Sequence, residues 1–447
     1  MPTIIGVIFF CLGTYYFFWE EDGLLGLLLI ASVFQASSAV DIANRGIQPY
    51  YVIATFILVR AAANLLLGRR QPKSMPKHKW LLLFGSIAIS SAFILPFVFS
   101  GIPVYDAKVG IDEGGTIRPA LQFGLNNVAQ AGFLAWHIAT AYAVLAIPFS
   151  ARKVRRAYIY AFYLIVFFVA AQSIFNLAGI PFPDSLLRNN PGYGISDPSF
   201  ISHGMRSPGS FAEPSFAGAF LTFYCIGFTA EYLAGKGSAA RVLISLAATG
   251  VVSSSGSLLV VGLCIFALFV RYSPYRLPWY INIRRARRIS LILFLAIAPL
   301  VLSLVVSSAA RQLLFQYTVE KGDSSSFFNR TAADLYALQL LPQSDWIGIG
   351  LGSNRGSSML TTLLSNVGII GVLAFGIFYF GVFARVPKEY SFFKWAAFAL
   401  LLNMCLNIPD VTFPIVWISI MLAVQFGEDR GAVRPILKGT NLTLAHI

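Results

Sequence analysis

Charge is scarce in this chain. Of its 447 residues only 12% are Asp, Glu, Lys or Arg, about half of what a water-facing surface carries, so a soluble domain of this size is excluded. Cysteine and histidine are scarce too, with four of each. Cys11, Cys225, Cys264 and Cys405 all sit inside apolar blocks without metal-ligand spacing, which argues against a disulfide framework and a zinc site. His78 lies in a basic connection, His137 inside an apolar block and His446 in the C-terminal tail. No serine triad, thiol–histidine pair or metal cage can be assembled from such a set, so the expected chemistry uses no metal and no cofactor. A cleavable signal peptide is not expected either, because residues 1–19 show neither a charged leading region nor a small-residue cleavage site.

What is abundant is hydrocarbon: 57% of the residues are hydrophobic and the mean hydropathy is +0.71. The apolar residues fall in blocks long enough to cross a hydrocarbon layer of roughly 30 Å, which takes about 20 residues of helix. Inside such a layer every backbone N–H must bond within its own segment, and long apolar runs without strand alternation do that as helices. The expectation is an all-α, polytopic integral membrane bundle forming one membrane domain over residues 1–447. Twelve or thirteen spans are predicted, at 3–18, 23–40, 50–67, 80–99, 128–149, 158–180, 215–234, 241–252, 257–270, 289–308, 359–384, 395–406 and 411–426. The two that flank residues 253–257 are short enough to be half-helices.

The net charge of +14 does not point to nucleic acid, because Lys and Arg cluster in the connections at 69–79, 152–156, 271–288 and 385–394. Short basic connections are the ones retained in the cytoplasm, so the partner is the lipid bilayer. Three stretches then face the opposite side: 101–127, 181–214 and 309–358. Carried backward, the alternation puts the N-terminus on that outer side as well. Long connections of this kind are uncommon unless they are functional or disordered. Within the last of them, residues 331–341 fit a short amphipathic helix with Leu335, Leu338 and Leu341 near one face, either lying along the interface or packing over the mouth of the bundle.

The densest constellation of polar residues is His203-Gly-Met-Arg206-Ser-Pro-Gly209-Ser-Phe211-Ala-Glu213-Pro214-Ser215-Phe-Ala-Gly218. It sits where the second outer stretch runs into a membrane helix. Pro214 suits a first helical position, and Glu213 suits the positive end of the helix dipole. Glu213 therefore has two readings: an acid at a helix start, paired with Arg206, or a base that takes a proton from an attacking hydroxyl. His203 is either a solvated loop histidine or a second catalytic group. Arg206, Arg311, Arg330 and Arg355 all lie on the outer side, against the positive-inside bias. Guanidinium groups hold phosphate oxygens through a planar fork of donors; the alternative is that each is anchored to lipid headgroups or to Asp184, Asp197, Asp323 or Asp345. The glycines at 348, 350 and 352 do not mark a nucleotide site, since they neither follow a predicted strand nor open a βαβ unit. The serines of 253–257 suit close helix packing or the lining of a lipid or sugar cleft. No internal repeat is present, which disfavours an inverted-repeat transporter.

Taken together, Arg206-x-x-Gly-x-Phe-x-Glu-Pro-Ser-x-x-Gly218, Asn329-Arg330 through Trp346-x-Gly-x-Gly350, and Leu364-x-x-x-Gly368-x-x-Gly371 resemble segments of the O-antigen polymerase and ligase superfamily. The early run Ser38-Ala-Val-Asp-Ile-Ala-Asn-Arg-Gly-Ile-Gln-Pro49 is similar to its N-terminal pattern. The resemblance implies a glycosyltransferase of the bacterial inner membrane with its active site facing the periplasm. Its substrate would be an undecaprenyl-pyrophosphate-linked oligosaccharide. A polymerase transfers the growing chain to the sugar of an incoming lipid-linked repeat unit, often beside a separate chain-length regulator protein; a ligase transfers it to lipid A-core. Arg206 and Arg330 match arginines that engage the pyrophosphate leaving group, an activated group that requires no metal. Ligases usually carry a histidine where Ser357 stands here, which points to a polymerase. From another class, a transporter or lipid flippase for an anionic substrate would place charge at mid-membrane, whereas the predicted spans hold chiefly Arg60 and Glu231, both towards span ends.

Overall fold

Apolar composition without alternation yields helices almost throughout. The structure is a computed structural model and describes residues 1–42, 45–70, 74–105, 118–192, 206–272 and 325–437. In chain order it forms α1 Ile4–Trp19, α2 Leu24–Ala31, a two-stranded hairpin of β1 Val40–Ile42 and β2 Arg45–Ile47, α3 Pro49–Leu66, α4 His78–Val98, α5 Leu125–Ala143 and α6 Ala151–Leu177. There follow α7 Asp184–Leu187, α8 Pro214–Leu233, α9 Ala239–Val252, α10 Ser255–Tyr272, α11 Ser325–Gln343, α12 Met359–Ala384, α13 Ser391–Asn407 and α14 Pro414–Leu437.

Among the described residues seven helices are long and apolar enough to cross a membrane: α3, α4, α5 with its extension to Ala146, α6, α8, α10 and α12. Ile4–Trp19, Ala239–Val252 and Pro414–Glu428 are shorter apolar helices. The span expected at 289–308 lies outside the described residues. The one expected at 23–40 differs from what is seen, because α2 ends at Ala31 and the chain continues in turns towards the hairpin. The polar residues of that stretch, Gln35, Ser37 and Ser38, bond to groups of residues 187–212 instead of leaving the helix free to continue.

The bundle is organised around α8, which is buried on all sides. A helix apolar all round belongs in the middle of a bundle, and α8 packs against α13, α9 and α10. Small residues set how closely they approach. A side chain at Gly218 would meet Ser257 Oγ at 2.3 Å, and one at Gly256 would meet Asn407 Oδ1 at 1.6 Å. Asn403 Nδ2 donates to Thr222 Oγ1 and to Ser257 Oγ, each at 3.0 Å, so buried polar groups tie α13 to α8 and α10. The serines of 253–257 thus serve close helix packing.

The described parts of the basic connections at 69–79, 152–156 and 385–394 gather at one end. Lys153 Nζ reaches Glu20 at 3.0 Å and Asp22 at 2.8 Å, Arg155 pairs with Glu231, and the stem of Lys77 lies against Gly381. A small cavity of about 200 Å³ at this end is lined by Arg155, Glu231, Lys236 and Glu389. Since Glu20 closes α1 here, the start of α1 lies at the opposite end, where Thr3 Oγ1 donates to Ser38 O at 2.5 Å. That opposite end carries 99–105, 118–124, 206–213, 325–358 and 408–413.

Candidate functional site

One wall of the site is the approach to α8. Gly209 takes φ +67°, which L side chains rarely adopt, and a Cβ there would press on the Val169 and Phe168 backbone at 3.0 and 3.1 Å. Its N–H donates to Gln172 Oε1 at 2.7 Å. Ser210 Oγ donates to Val33 O at 2.7 Å, and Ala212 N–H to Gln35 Oε1 at 3.3 Å. Phe211 is fully buried, its ring centroid 4.8 Å from that of Phe220. These contacts fix Glu213 as the last extended residue before the helix, φ −137° and ψ 153°, with Pro214 in the first turn. The Glu213 carbonyl accepts from Phe216 N–H and Ala217 N–H, but its side chain makes no cap bond and, among the described residues, accepts only from Ser215 Oγ, at 3.1 Å. The expected ion pair with Arg206 is not formed: among the described residues Glu213 takes part in none. A half-buried carboxylate with spare acceptor capacity therefore sits at the rim beside α8. Arg206 stands seven residues earlier in the same segment. His203 and Arg311 lie outside the described residues.

The second wall is built by α11 and the first half of α12. Asp334 Oδ1 accepts from Ser357 N–H at 2.7 Å, Ser358 N–H at 3.3 Å and Thr361 Oγ1 at 2.5 Å, while Oδ2 accepts from Ser357 Oγ at 2.5 Å. A carboxylate at a helix N-terminus meets unpaired N–H groups and the positive end of the dipole, so this one aspartate joins α11 to the start of α12. Arg330 is half-buried one helical turn before Asp334, and Arg355 stands two residues before Ser357. Arg355 N–H donates to Tyr105 O at 3.0 Å, and Tyr105 N–H donates to Asn354 Oδ1 at 3.1 Å. Among the described residues neither Arg330 nor Arg355 takes part in an ion pair. Asp184, one of their possible anchors, is instead paired with the buried Arg188 at 2.6 Å.

The glycines at 348, 350 and 368 serve one device. α12 is broken at Gly368, which has φ +67° and ψ −175°, and residues 346–350 run into the break. Ile349 N–H donates to Ser365 O and Gly350 N–H to Asn366 O, both at 2.9 Å; Ile369 N–H donates to Trp346 O at 3.1 Å. A side chain at Gly368 would strike Trp346 O at 2.3 Å, and one at Gly348 would strike the Asn366 backbone at 2.6 Å. Asn366 Nδ2 donates to Asn354 O at 2.8 Å and Asn354 N–H to Asn366 Oδ1 at 2.9 Å. The segment is further locked to α5, where Asn127 Nδ2 donates to Leu351 O and Ser353 Oγ, each at 2.9 Å.

The amphipathic helix expected at 331–341 extends from Ser325 to Gln343, and its packed face differs from the leucine face. Ala333, Tyr336 and Leu340 pack on Val104, Tyr105, Leu121 and Ile349, whereas Leu335 and Leu338 are exposed. The helix lies over the end of the bundle because Ala333, Tyr336 and Leu340 fit Val104, Tyr105 and Leu121; of the expected leucine face Leu341 is buried too.

The 408–413 turn joins the first wall to α5. Phe413 packs on Phe216, centroids 5.3 Å apart, and Thr412 O lies 2.8 Å from His137 Nε2 on α5. A carbonyl only accepts, so Nε2 carries the hydrogen and Nδ1 accepts from Tyr50 OH at 2.9 Å. The ring is stacked on Trp417, 11° from parallel. His137 is thus a fully buried structural histidine. Sequence reasoning singled out Arg206, Glu213, Arg330 and Arg355, which fall on two walls at one end. It missed Asp334, Tyr105 and Asn354, whose roles depend on partners 23 to 249 residues away and leave no local signal. No protein-family model matches the chain and no curated protein matches it either, so the functional assignment rests on these residues themselves.

Proposed function

We propose that this protein is a multi-pass glycosyltransferase of the bacterial inner membrane. In this reading it transfers a growing glycan from undecaprenyl pyrophosphate to the sugar of a lipid-linked repeat unit at the periplasmic face. The observation that carries it is the pair Arg330 and Arg355, which lie at the end of the bundle opposite the basic connections with no acidic partner among the described residues. Cations placed against the positive-inside bias and without a carboxylate suit an anionic substrate at the outer leaflet.

The chemistry follows from the two walls. Glu213 takes the proton of the acceptor hydroxyl as its oxygen attacks the anomeric carbon. The bond from that carbon to the phosphate oxygen breaks, and the lipid pyrophosphate leaves with the electron pair. Arg206, Arg330 and Arg355 stabilise the negative charge that develops on it, which is the largest electrostatic task in such a transfer. A ligase would use the same donor half and differ in its acceptor, lipid A-core. A transporter reading has less support: broken membrane helices are used as ion sites when their freed main-chain groups face a cavity, and here residues 346–350 occupy those groups.

The test is polysaccharide length in a deletion strain complemented with wild type, Arg206→Ala or Arg330→Ala, with expression confirmed. Single repeat units in the deletion strain and in both variants are expected. Polymer that is made but not attached to lipid A-core would indicate the ligase. Unchanged chain length on deletion would end the polymerisation reading, and normal chains in both variants would end the role of the arginines.

A further inference from the structure

None of the motifs quoted from the sequence contains Arg118, and its surroundings in the sequence are unremarkable. In the folded chain it is an exposed residue whose guanidinium lies over two tyrosine rings, 4.0 Å from the Tyr336 centroid and 5.0 Å from that of Tyr105. Its Nη2 donates to Tyr105 OH at 3.2 Å. Among the described residues it takes part in no ion pair. The two rings, their planes 75° apart, enclose the guanidinium and restrain it, and among the described residues Nη2 to Tyr105 OH is the one hydrogen bond its donors make.

The same tyrosines belong to the wall already described. Tyr105 accepts the Arg355 N–H through its carbonyl. Tyr336 lies on α11 two residues after Asp334, and its hydroxyl donates to Pro103 O at 2.6 Å. Arg330 is one helical turn before Asp334, and the Asp334 carboxylate is engaged by four donors of α12 and its approach. The patch therefore joins Arg118 and Arg355 through Tyr105 and carries Arg330 on the helix of Tyr336, and Asp334 of that helix is occupied by neutral groups.

We infer that Arg118 is a phosphoryl-binding residue of this patch, a guanidinium pre-set by Tyr105 and Tyr336 to grip a diphosphate together with Arg330 and Arg355. This rests on the reading of the site as one for a diphosphate-linked glycan. Arg118 thereby has a task a lysine cannot perform, because an ammonium lacks the planar fork of donors. A group fixed before the substrate arrives loses little conformational freedom on binding, so Arg118 contributes to affinity for the phosphoryl groups rather than to proton transfer.

The experiment uses the full chain in nanodiscs of zwitterionic lipid, with inorganic pyrophosphate titrated by calorimetry against wild type, Arg118→Gln, Arg118→Lys and Arg156→Gln. Arg156 is an exposed arginine of the basic end and controls for net charge. Arg118→Gln is expected to weaken binding at least tenfold, Arg118→Lys to recover only part of the loss, and Arg156→Gln to stay within twofold of wild type, all with unchanged melting temperatures. Equal binding by Arg118→Gln and wild type overturns the inference, as does an equal loss in Arg156→Gln. Binding that depends on Arg118 only when phosphatidylglycerol is added to the discs overturns it in favour of a headgroup anchor. Arg118-dependent pyrophosphate binding in a protein whose deletion leaves glycan length unchanged would keep the phosphoryl site and remove the glycan-transfer reading.

Discussion

Asp334 holds Ser357 twice, taking its hydroxyl at 2.5 Å and its amide at 2.7 Å. The pair joins two helices across 23 residues of chain, and it fixes the backbone between Arg355 and the start of α12. A pairwise contact of this kind sets where the flanking cation stands.

Asp334→Ala removes an acceptor from four donors at once and is expected to cost about 3 kcal/mol, the scale for hydrogen bonds to a charged group. Asp334→Asn keeps one acceptor oxygen for the amides of Ser357 and Ser358 and should lose about half as much. Thermal unfolding of the purified variants checks the order; equal losses would mean that charge, not geometry, matters here.

Glu213→Gln is expected to slow glycan transfer roughly 10²–10⁴-fold, the range for losing a general base, with the donor affinity retained. Its side chain makes no cap bond and no ion pair with a described residue, so the melting temperature should not move. A large fall in stability with unchanged turnover in the folded fraction would assign Glu213 to the helix start alone.

His137→Ala opens a cavity and strands both the Thr412 carbonyl and the Tyr50 hydroxyl. The expected cost is about 2–4 kcal/mol, and Tyr50→Phe, which keeps the ring, should cost about 1 kcal/mol. Because His137 only braces the 408–413 turn, folded His137→Gln protein should transfer glycan at close to the wild-type rate. A turnover loss beyond tenfold in that variant would give the histidine a chemical part.

Two glycines of α12 make a matched pair. Gly368→Ala would place a methyl 2.3 Å from Trp346 O at φ +67° and is expected to abolish folded protein. Gly376→Ala meets nothing within 4 Å and should raise stability by about 0.5–1 kcal/mol, the gain of alanine over glycine inside a helix. Expression and melting temperature distinguish the two.

At the other end of the bundle, burial alone would raise the Glu21 carboxyl, but hydrogen bonds from Arg60 at 2.5 Å and Asn64 at 3.2 Å, with the charges of Arg60 and Arg70, hold it below the usual range. A lowered carboxyl contributes stability that is complete above its unfolded value and lost as pH falls through its folded value. Melting temperature should therefore decline below the ordinary carboxylate range, and Arg60→Gln should flatten that decline. An identical acid profile in the variant would remove this pair from the pH response.

The long apolar spans were legible because their signal is composition over many residues. α12 begins and ends at Met359 and Ala384 as predicted, and α8 and α3 lie within one residue of expectation. The failures have local causes. The span expected at 23–40 stops early because Gln35, Ser37 and Ser38 find partners in 187–212 that a continuing helix could not reach. The break at Gly368 is invisible to hydropathy, and only the Ser365-Asn366 pair inside an apolar run hints at it. In α11 the leucines suggested the buried face, but Ala333 and Tyr336 have the shapes that fit Val104 and Tyr105. The arginines 206, 330 and 355 were singled out by their sidedness, whereas Arg118 draws notice only once the two tyrosines around it are in place.

Residues 346–350 act as a splint driven through a fractured helix, and that shapes how such a protein can change. Each glycine of the splint is matched to one spot on α12 or α4, so its side chains can be exchanged while its register cannot. Adding or deleting a single residue there would pull every glycine off its seat and unlock the helix in mid-bundle. New specificities in this architecture should therefore arise by point substitution around a stiff frame, with length variation confined to chain outside the splint.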